Sequence, residues 1–190
     1  MNRHKTCVAI GVLAVALLTQ ATVPASAAAT PSSAIPIVAA SPANPLGVAA
    51  ATSAHTSVTR LRQDVGELPN RYLSDYGDRL NTTERVRMRF LVKDADRQLG
   101  IVEKRTATAT RLASSGASRV AVHRSGRAAE VAFTTAFARA LTTLDEVQPM
   151  LQSKLGLLEA IAAKGDLDEQ MARYDAVDTQ IRKISAAYTP

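Results

Sequence analysis

The feature that most constrains this chain is a stripe of small and apolar residues at alternating intervals of four and three. It runs through Met88, Val92, Ala95, Leu99, Val102, Thr106, Ala109 and Ala113. Every Asp, Glu, Lys and Arg between residues 84 and 111 lies off this stripe. Such a repeat keeps one face of a helix buried along its whole length. The sequence therefore predicts a long amphipathic helix with a coiled-coil-like seam.

Both ends of this helix carry recognisable signals. Asn81 occupies an N-cap position, and Glu84 three residues later can complete a capping box. Ser115 and Gly116 provide a stop signal at the other end. The predicted helix spans residues 82–114, which is about 50 Å at 1.5 Å per residue.

The sequence contains two further helical stripes. One runs from Phe133 to Ala162 and is interrupted by Pro149, where we expect a kink, with a restarted helix as the alternative. The other runs from Leu167 to Tyr188. Its start is marked by Gly165 as a stop, Asp166 as a cap and Glu169 at the box position. A shorter helix is predicted before Pro69, with one or two more turns in residues 70–80.

These patterns predict an all-α fold. We expect an elongated up-and-down bundle of three to four helices with coiled-coil-like seams. Thr106, Ala109 and Ala113 give the end of the first long helix a thin core. A second copy of the chain could complete that end, so the sequence leaves homo-oligomerisation open.

The first 27 residues have the order of a secretory signal peptide. A basic start at residues 3–5 precedes the apolar run 7–18, and Ala25-Ser26-Ala27 has the small residues of a cleavage site. We expect cleavage after Ala27, and hence a protein that is secreted or associated with the cell envelope. Retention of the apolar run as an anchor is the alternative, although twelve residues are short for a membrane span.

Residues 28–55 differ sharply in composition from residues 56–190. They contain no Asp, Glu, Lys or Arg and are rich in Ala, Ser, Thr and Pro. We expect a disordered linker here, because the segment buries too little apolar surface to offset its chain entropy. The predicted organisation is therefore a signal peptide at 1–27, a linker at 28–55 and a helical bundle domain at 56–190.

The folded part is electrically lopsided, because residues 56–127 carry a net charge of +7 and residues 128–190 a net charge of −3. Nine cationic residues lie along the first long helix and the predicted loop after it: Arg85, Arg89, Lys93, Arg97, Lys104, Arg111, Arg119, Arg124 and Arg127. Such a surface can dock on a protein partner or an anionic envelope polymer. Nucleic acid is disfavoured, since no aromatic platform or known motif accompanies the cations. Interleaved acids also fit an ordinary solvated helix face.

The leading functional prediction is a secreted, non-catalytic helical interaction module that uses these cations. The alternative is an extracytoplasmic carrier that binds an apolar small molecule or haem inside the bundle, with Tyr72 and Tyr76 at its mouth. The same two tyrosines also fit ordinary core positions.

No catalytic, metal or cofactor site is predicted. His55 and His123 lack a carboxylate or nucleophile at a spacing typical of a catalytic family. Cys7, the only cysteine, lies in the signal region, so the mature chain would contain neither a disulfide nor a thiolate metal site.

Overall fold

The computed structural model describes residues 44–189, apart from the side chain of Leu158, and this part of the chain is helical without strands. Its elements are α1 (Pro45–Tyr76), a short 3₁₀ turn (Gly77–Arg79), α2 (Thr82–Ser114), α3 (Arg119–Gln152) and α4 (Leu157–Ala187). The all-helical prediction is confirmed, with four helices packed against each other. The predicted signal peptide and residues 28–43 of the predicted linker lie outside the described residues. No helix in the described range is both long and apolar enough to span a membrane.

Helix α2 has the predicted bounds and the predicted cap. The Asn81 side chain accepts a hydrogen bond from the Glu84 backbone N–H at 2.9 Å, and the Glu84 carboxylate accepts one from the Asn81 N–H at 2.8 Å. Gly116, just after the helix, has a φ of 68°, a conformation that favours glycine. The whole predicted stripe is buried. Local signals at both ends therefore determine this helix.

Helix α1 begins earlier than predicted. The Asn44 side chain accepts a hydrogen bond from the Gly47 N–H at 3.2 Å, and Pro45 occupies the first helical position, where no backbone donor is needed. Residues 45–55 therefore belong to the folded domain, and their assignment to the linker is wrong. Their uncharged, small-residue composition resembles a linker, but Ala51 and Ala54 are fully buried against other helices.

Both internal prolines lie within helices. Helix α1 continues through Pro69 to Tyr76, so the helix end predicted before Pro69 is wrong. Helix α3 continues through Pro149 to Gln152, so no new helix begins at this proline. Burial of one face on neighbouring helices can offset the hydrogen bond that each proline removes.

The last turn also lies elsewhere than predicted. Helix α3 ends at Gln152, and α4 begins at Leu157 after the Gly156 cap, whose N–H donates to Glu159 at 3.0 Å. Gly165 is inside α4, so its assignment as a stop is wrong. The turn was hidden because Leu155 continues the apolar pattern through it and packs on the core.

Successive helices run antiparallel, and α4 packs back on α1. The start of α1 meets the end of α4, where the Asn44 amide donates to the Ala187 carbonyl at 3.1 Å. Farther along, Thr59 donates to Glu103 of α2 at 2.8 Å. Each helix thus contacts two neighbours around a shared core.

The end of the bundle with the smallest core residues is closed within one chain. Thr106, Ala109 and Ala113 are at most 2% exposed. The first turns of α1, including Ala51 and Ala54, belong to the same buried cluster. No second copy of the chain is needed to bury this end.

Candidate functional site

All nine predicted cations are exposed. Arg119, Arg124 and Arg127 lie in the first turns of α3 and not in a loop as predicted, because the Ser118 hydroxyl caps the helix by accepting from the Ala121 N–H at 3.3 Å. The loop that remains comprises only residues 115–118.

Five of the cations form one line along α2, which we call the basic face: Arg89, Lys93, Arg97, Lys104 and Arg111. Their spacings of four, four, seven and seven residues return to the same side of a helix. The line is about 33 Å long at 1.5 Å per residue. It is long enough to contact an extended surface.

The acidic residues of α2 turn towards neighbouring helices. The Arg62 side chain of α1 donates to Asp96 at 2.8 Å and to Glu103 at 2.6 Å. Asp94 lies 3.5 Å from Arg139 of α3. The fourth acid, Glu84, caps α2 and lies 3.4 Å from Lys154. Asp96 and Glu103 are thus neutralised by a cation of another helix, whereas Asp94 is shared between Arg139 and Arg97 of its own helix. The sequence could not reveal these pairings.

Most of the basic face is free of ion pairs. Within residues 44–189, Arg89, Lys93, Lys104 and Arg111 form none, and Arg97 has a 3.4 Å contact with Asp94. The basic face therefore presents positive charge to solvent over several helical turns.

The remaining predicted cations make local contacts. Arg85 donates to the Leu80 carbonyl at 2.9 Å, and Arg119 donates to the Thr189 carbonyl at 3.2 Å. Arg127 pairs with Glu130 one turn later on α3. Arg124 is exposed and makes no ion pair among the described residues. These residues contribute less clearly to a docking surface than the basic face does.

Exposed apolar side chains accompany the basic face. Val86, Phe90 and Ile101 of α2 are 59%, 61% and 44% exposed. Ile101 and Val131 of α3 line a shallow groove of about 400 Å³, with Arg105 and Arg127 also in its wall. Sequence reasoning missed these residues, although Val86, Phe90 and Ile101 follow helical spacing on the side of α2 opposite the buried stripe.

A second candidate site lies inside the bundle. A cavity of about 70 Å³ is lined by residues of all four helices. Ala95 of α2 and Ala140 of α3 contribute only methyl groups to its wall, while Met88 and Met171 contribute longer apolar side chains. The cavity is too small for a porphyrin.

Of the two tyrosines named for the carrier alternative, Tyr72 lines this cavity and Tyr76 does not. The two rings lie 6.0 Å apart. Tyr72 is 4% exposed, and its burial, with a smaller effect from Asp166, raises the pKa of its hydroxyl to about 12. Gln170, which sequence reasoning missed, also lines the cavity and is 7% exposed. The sequence feature that could have indicated Gln170 is a polar residue on the apolar face of the last helix.

Two of the residues that line the cavity each carry a buried polar atom without a partner in the described part of the chain. Among the described residues, neither the Tyr72 hydroxyl nor Oε1 of Gln170 has a hydrogen-bond partner. Buried polar groups are normally hydrogen-bonded, so each such atom calls for an explanation.

Both histidines of the described residues lie against a polar group of a neighbouring helix. His55 Nδ1 lies 3.2 Å from the Thr106 hydroxyl, and His123 Nδ1 lies 3.1 Å from the Ser185 carbonyl. The Ser185 hydroxyl donates to Glu130 and also contacts the Arg182 carbonyl. This Ser, His and Glu cluster lacks the serine-to-histidine hydrogen bond that would activate a nucleophile.

Comparison with protein families, curated proteins and solved structures found no match to this chain.

Proposed function

We propose that this chain is a secreted, non-catalytic binding module that docks on an anionic surface of the cell envelope through the basic face. The observation that carries the proposal is the separation of charge on α2. Asp96 and Glu103 pair with Arg62 of α1, and Asp94 contacts Arg139 of α3 as well as Arg97. Four cations of the basic face remain exposed and make no ion pair among the described residues: Arg89, Lys93, Lys104 and Arg111.

Exposed apolar side chains favour a lipid headgroup surface over a fully hydrated polymer. Phe90 and Ile101 lie beside the cations, and apolar side chains among cations suit the boundary between headgroups and acyl chains. Exposed cations add salt-sensitive attraction to anionic lipids. An acidic protein partner is the other class that the same charges would suit.

The test compares two triple variants with the same change in net charge. The face variant is Arg89→Glu, Lys93→Glu and Lys104→Glu. The matched control is Arg60→Glu, Arg71→Glu and Lys183→Glu, which changes exposed cations of α1 and α4. Circular dichroism establishes that both variants fold.

Binding is measured by co-sedimentation with vesicles of phosphatidylglycerol and phosphatidylcholine at low and high salt. We expect the wild-type chain to bind at low salt, with binding weakened at least tenfold by the face variant and by high salt. The control variant should retain most of the binding. Equal losses in the two variants would show that net charge alone matters, and would contradict a specific face. Retention on envelope protein, but not on vesicles, would favour the protein partner.

A further inference from the structure

The groove between α2 and α3 combines apolar surface with two cations. Its wall is formed by two residues of α2 and four of α3: Ile101, Arg105, Arg127, Ala128, Val131 and Ala132. Ala128 and Ala132 are four residues apart and share one side of α3, where their methyl groups leave space between the two helices. Ile101 and Val131 are 44% and 66% exposed. An occupant that covers these two side chains would remove apolar surface from water.

Both charged residues of the groove wall are arginines. Arg105 is exposed and forms no ion pair within residues 44–189. Arg127 pairs with Glu130 through Nη1 alone, so its other guanidinium nitrogens can still donate to an anion. Glu130 itself does not line the groove. An occupant therefore meets positive charge and apolar surface at the same place.

This combination favours a lipid over a peptide. The backbone N–H and C=O groups on either side of the groove are used inside α2 and α3, so an extended peptide would find few partners for its own backbone. A hydrocarbon chain has no polar groups to satisfy. Guanidinium groups suit phosphate in particular, because they can donate two parallel hydrogen bonds to it. The volume of about 400 Å³ is typical of small-molecule pockets.

We propose that the groove binds one anionic phospholipid, with an acyl chain against Ile101 and Val131 and the phosphate at Arg105 and Arg127. The proposal rests on the proposed function for the choice of a membrane lipid as the occupant. Ile101 lies four residues after Arg97 and three before Lys104, so the groove borders the basic face. The docked chain would thus hold a single lipid in addition to the general attraction of its cations to the headgroup surface.

Isoleucine methyl groups report on occupancy of the groove. The probe is dihexanoyl-phosphatidylglycerol below its micelle concentration, added to the full chain with ¹³C-labelled isoleucine δ1-methyl groups. We expect a saturable shift of the Ile101 NMR signal and almost none at Ile161, which is 61% exposed on α4 but does not line the groove.

Two further probes separate the parts of the lipid. Dihexanoyl-phosphatidylcholine has the same chains and a zwitterionic headgroup, and it should bind at least about threefold more weakly. Inorganic phosphate has no chain and should leave the Ile101 signal in place at the same concentration.

Substitutions test the two cations against a matched control. Arg105→Gln together with Arg127→Gln should weaken binding of the phosphatidylglycerol about tenfold. Arg60→Gln together with Arg71→Gln removes the same charge from exposed positions of α1 and should bind like the wild-type chain. Ala128→Glu places a carboxylate in the groove and should abolish the Ile101 shift. Circular dichroism verifies that each variant folds.

Several outcomes would overturn the lipid site. These are no shift at Ile101, an equal shift at Ile161, an equal loss of affinity in the two double variants, or full binding by Ala128→Glu. A shift of Ile101 by inorganic phosphate or by a Glu-rich peptide that matched the shift by the lipid would overturn the choice of occupant.

Vesicle co-sedimentation separates this proposal from the proposed function. Salt-sensitive binding to vesicles without an Ile101 shift would overturn the lipid site alone. A saturable Ile101 shift without binding to vesicles would overturn membrane docking and would support the lipid site.

Discussion

Arg62 of α1 binds Asp96 of α2 through an ion pair with a 2.8 Å hydrogen bond from Nε to Oδ1. The same guanidinium donates from Nη1 to Glu103 at 2.6 Å. These contacts join two helices and also draw two carboxylates away from the basic face. The hydrogen bond from Arg62 is the main reason that the pKa of Glu103 lies below its usual value.

We expect Arg62→Met to lower the free energy of unfolding at pH 7 by about 1 kcal/mol, since it removes two charge-assisted hydrogen bonds at a partly exposed site. The pKa of Glu103 is lower in the folded protein than its ordinary value of 4.5. Its ion pair therefore contributes fully to the free energy of unfolding above pH 4.5, and this contribution is lost as the pH falls through the folded-state pKa. Urea denaturation at several pH values should therefore show the two proteins converging in acid. A constant difference at every pH would contradict this.

The first turns of α1 should contribute strongly to stability. A chain beginning at residue 56 loses Ala51 and Ala54 and exposes Ala109 and Ala113. We expect its free energy of unfolding to fall by roughly 3 kcal/mol or more, from the lost burial of several methyl-sized groups. A chain beginning at residue 44 is the reference for this comparison, which urea denaturation measures. Equal stability of the two truncated chains would show that residues 45–55 do not contribute to the core.

Two helical glycines should respond in opposite directions to alanine. A Cβ at Gly126 of α3 would lie 3.0 Å from the Ile184 side chain and 3.1 Å from the Ser185 backbone nitrogen, so the helices α3 and α4 would have to move apart. We expect Gly126→Ala to cost about 1–3 kcal/mol. Gly165 of α4 has open space around it, so Gly165→Ala should stabilise by up to about 1 kcal/mol through helix propensity.

Thermal unfolding of both glycine variants measures the two effects on the same scale. If Gly165→Ala destabilised the protein, α4 would not be continuous through this residue. If Gly126→Ala stabilised the protein, α3 and α4 would be able to separate at this point without loss of packing, which would contradict the tight contact described here.

Pro149 should limit the stability of α3. It lies inside the helix and is exposed, so its ring contributes little burial while its missing N–H removes a helical hydrogen bond. We expect Pro149→Ala to raise the free energy of unfolding by about 1–2 kcal/mol, with part of the gain cancelled by a more flexible unfolded chain. Urea denaturation measures the change. A loss of stability would indicate that the helix requires a proline-induced bend at this position.

Alkaline pH should destabilise the bundle through its buried tyrosines. Burial raises the pKa of Tyr72 from 10.0 to about 12, and it also raises the pKa of Tyr174. Because the folded pKa lies above the unfolded one, the stability that this difference provides is present below pH 10.0 and is lost as the pH rises towards the folded pKa. Between pH 10.0 and pH 12, the Tyr72→Phe variant should therefore lose less of its free energy of unfolding than the wild-type chain does.

Ultraviolet absorbance at the tyrosinate band follows this ionisation directly. In the wild-type chain, one step should lie near pH 12, and Tyr72→Phe should remove it. A variant whose titration curve between pH 10 and pH 12 matched that of the wild-type chain would contradict the burial of this hydroxyl.

Helix α2 could be predicted almost completely because its determinants are local. Asn81 and Glu84 form the cap, a regular stripe defines the buried face, and Gly116 takes up the turn after it. The cations of the basic face were likewise readable from their spacing. Such signals depend on residues within one or two helical turns, so they do not require knowledge of the neighbouring helices.

The start of α1 could not be predicted in this way. Ala51 and Ala54 have little apolar surface, and they form a buried face only because small residues such as Ala109 and Ala113 belong to the same core. Gly47 is buried because the Tyr188 ring lies against it. The turn at Gly156 was missed for a related reason, since the apolar pattern continues through Leu155 and only packing distinguishes turn from helix.

The sequence by itself determined the helical class, the course of α2 and the line of cations along it, because periodicity and capping are properties of short segments. Only the tertiary structure decided where the acids of α2 point and where a cavity remains. Arg62 reaches Asp96 from another helix, and Ala95 and Ala140 leave space because both fall at the same level of the core. Both outcomes depend on residues that are far apart in the chain and meet only when the helices pack.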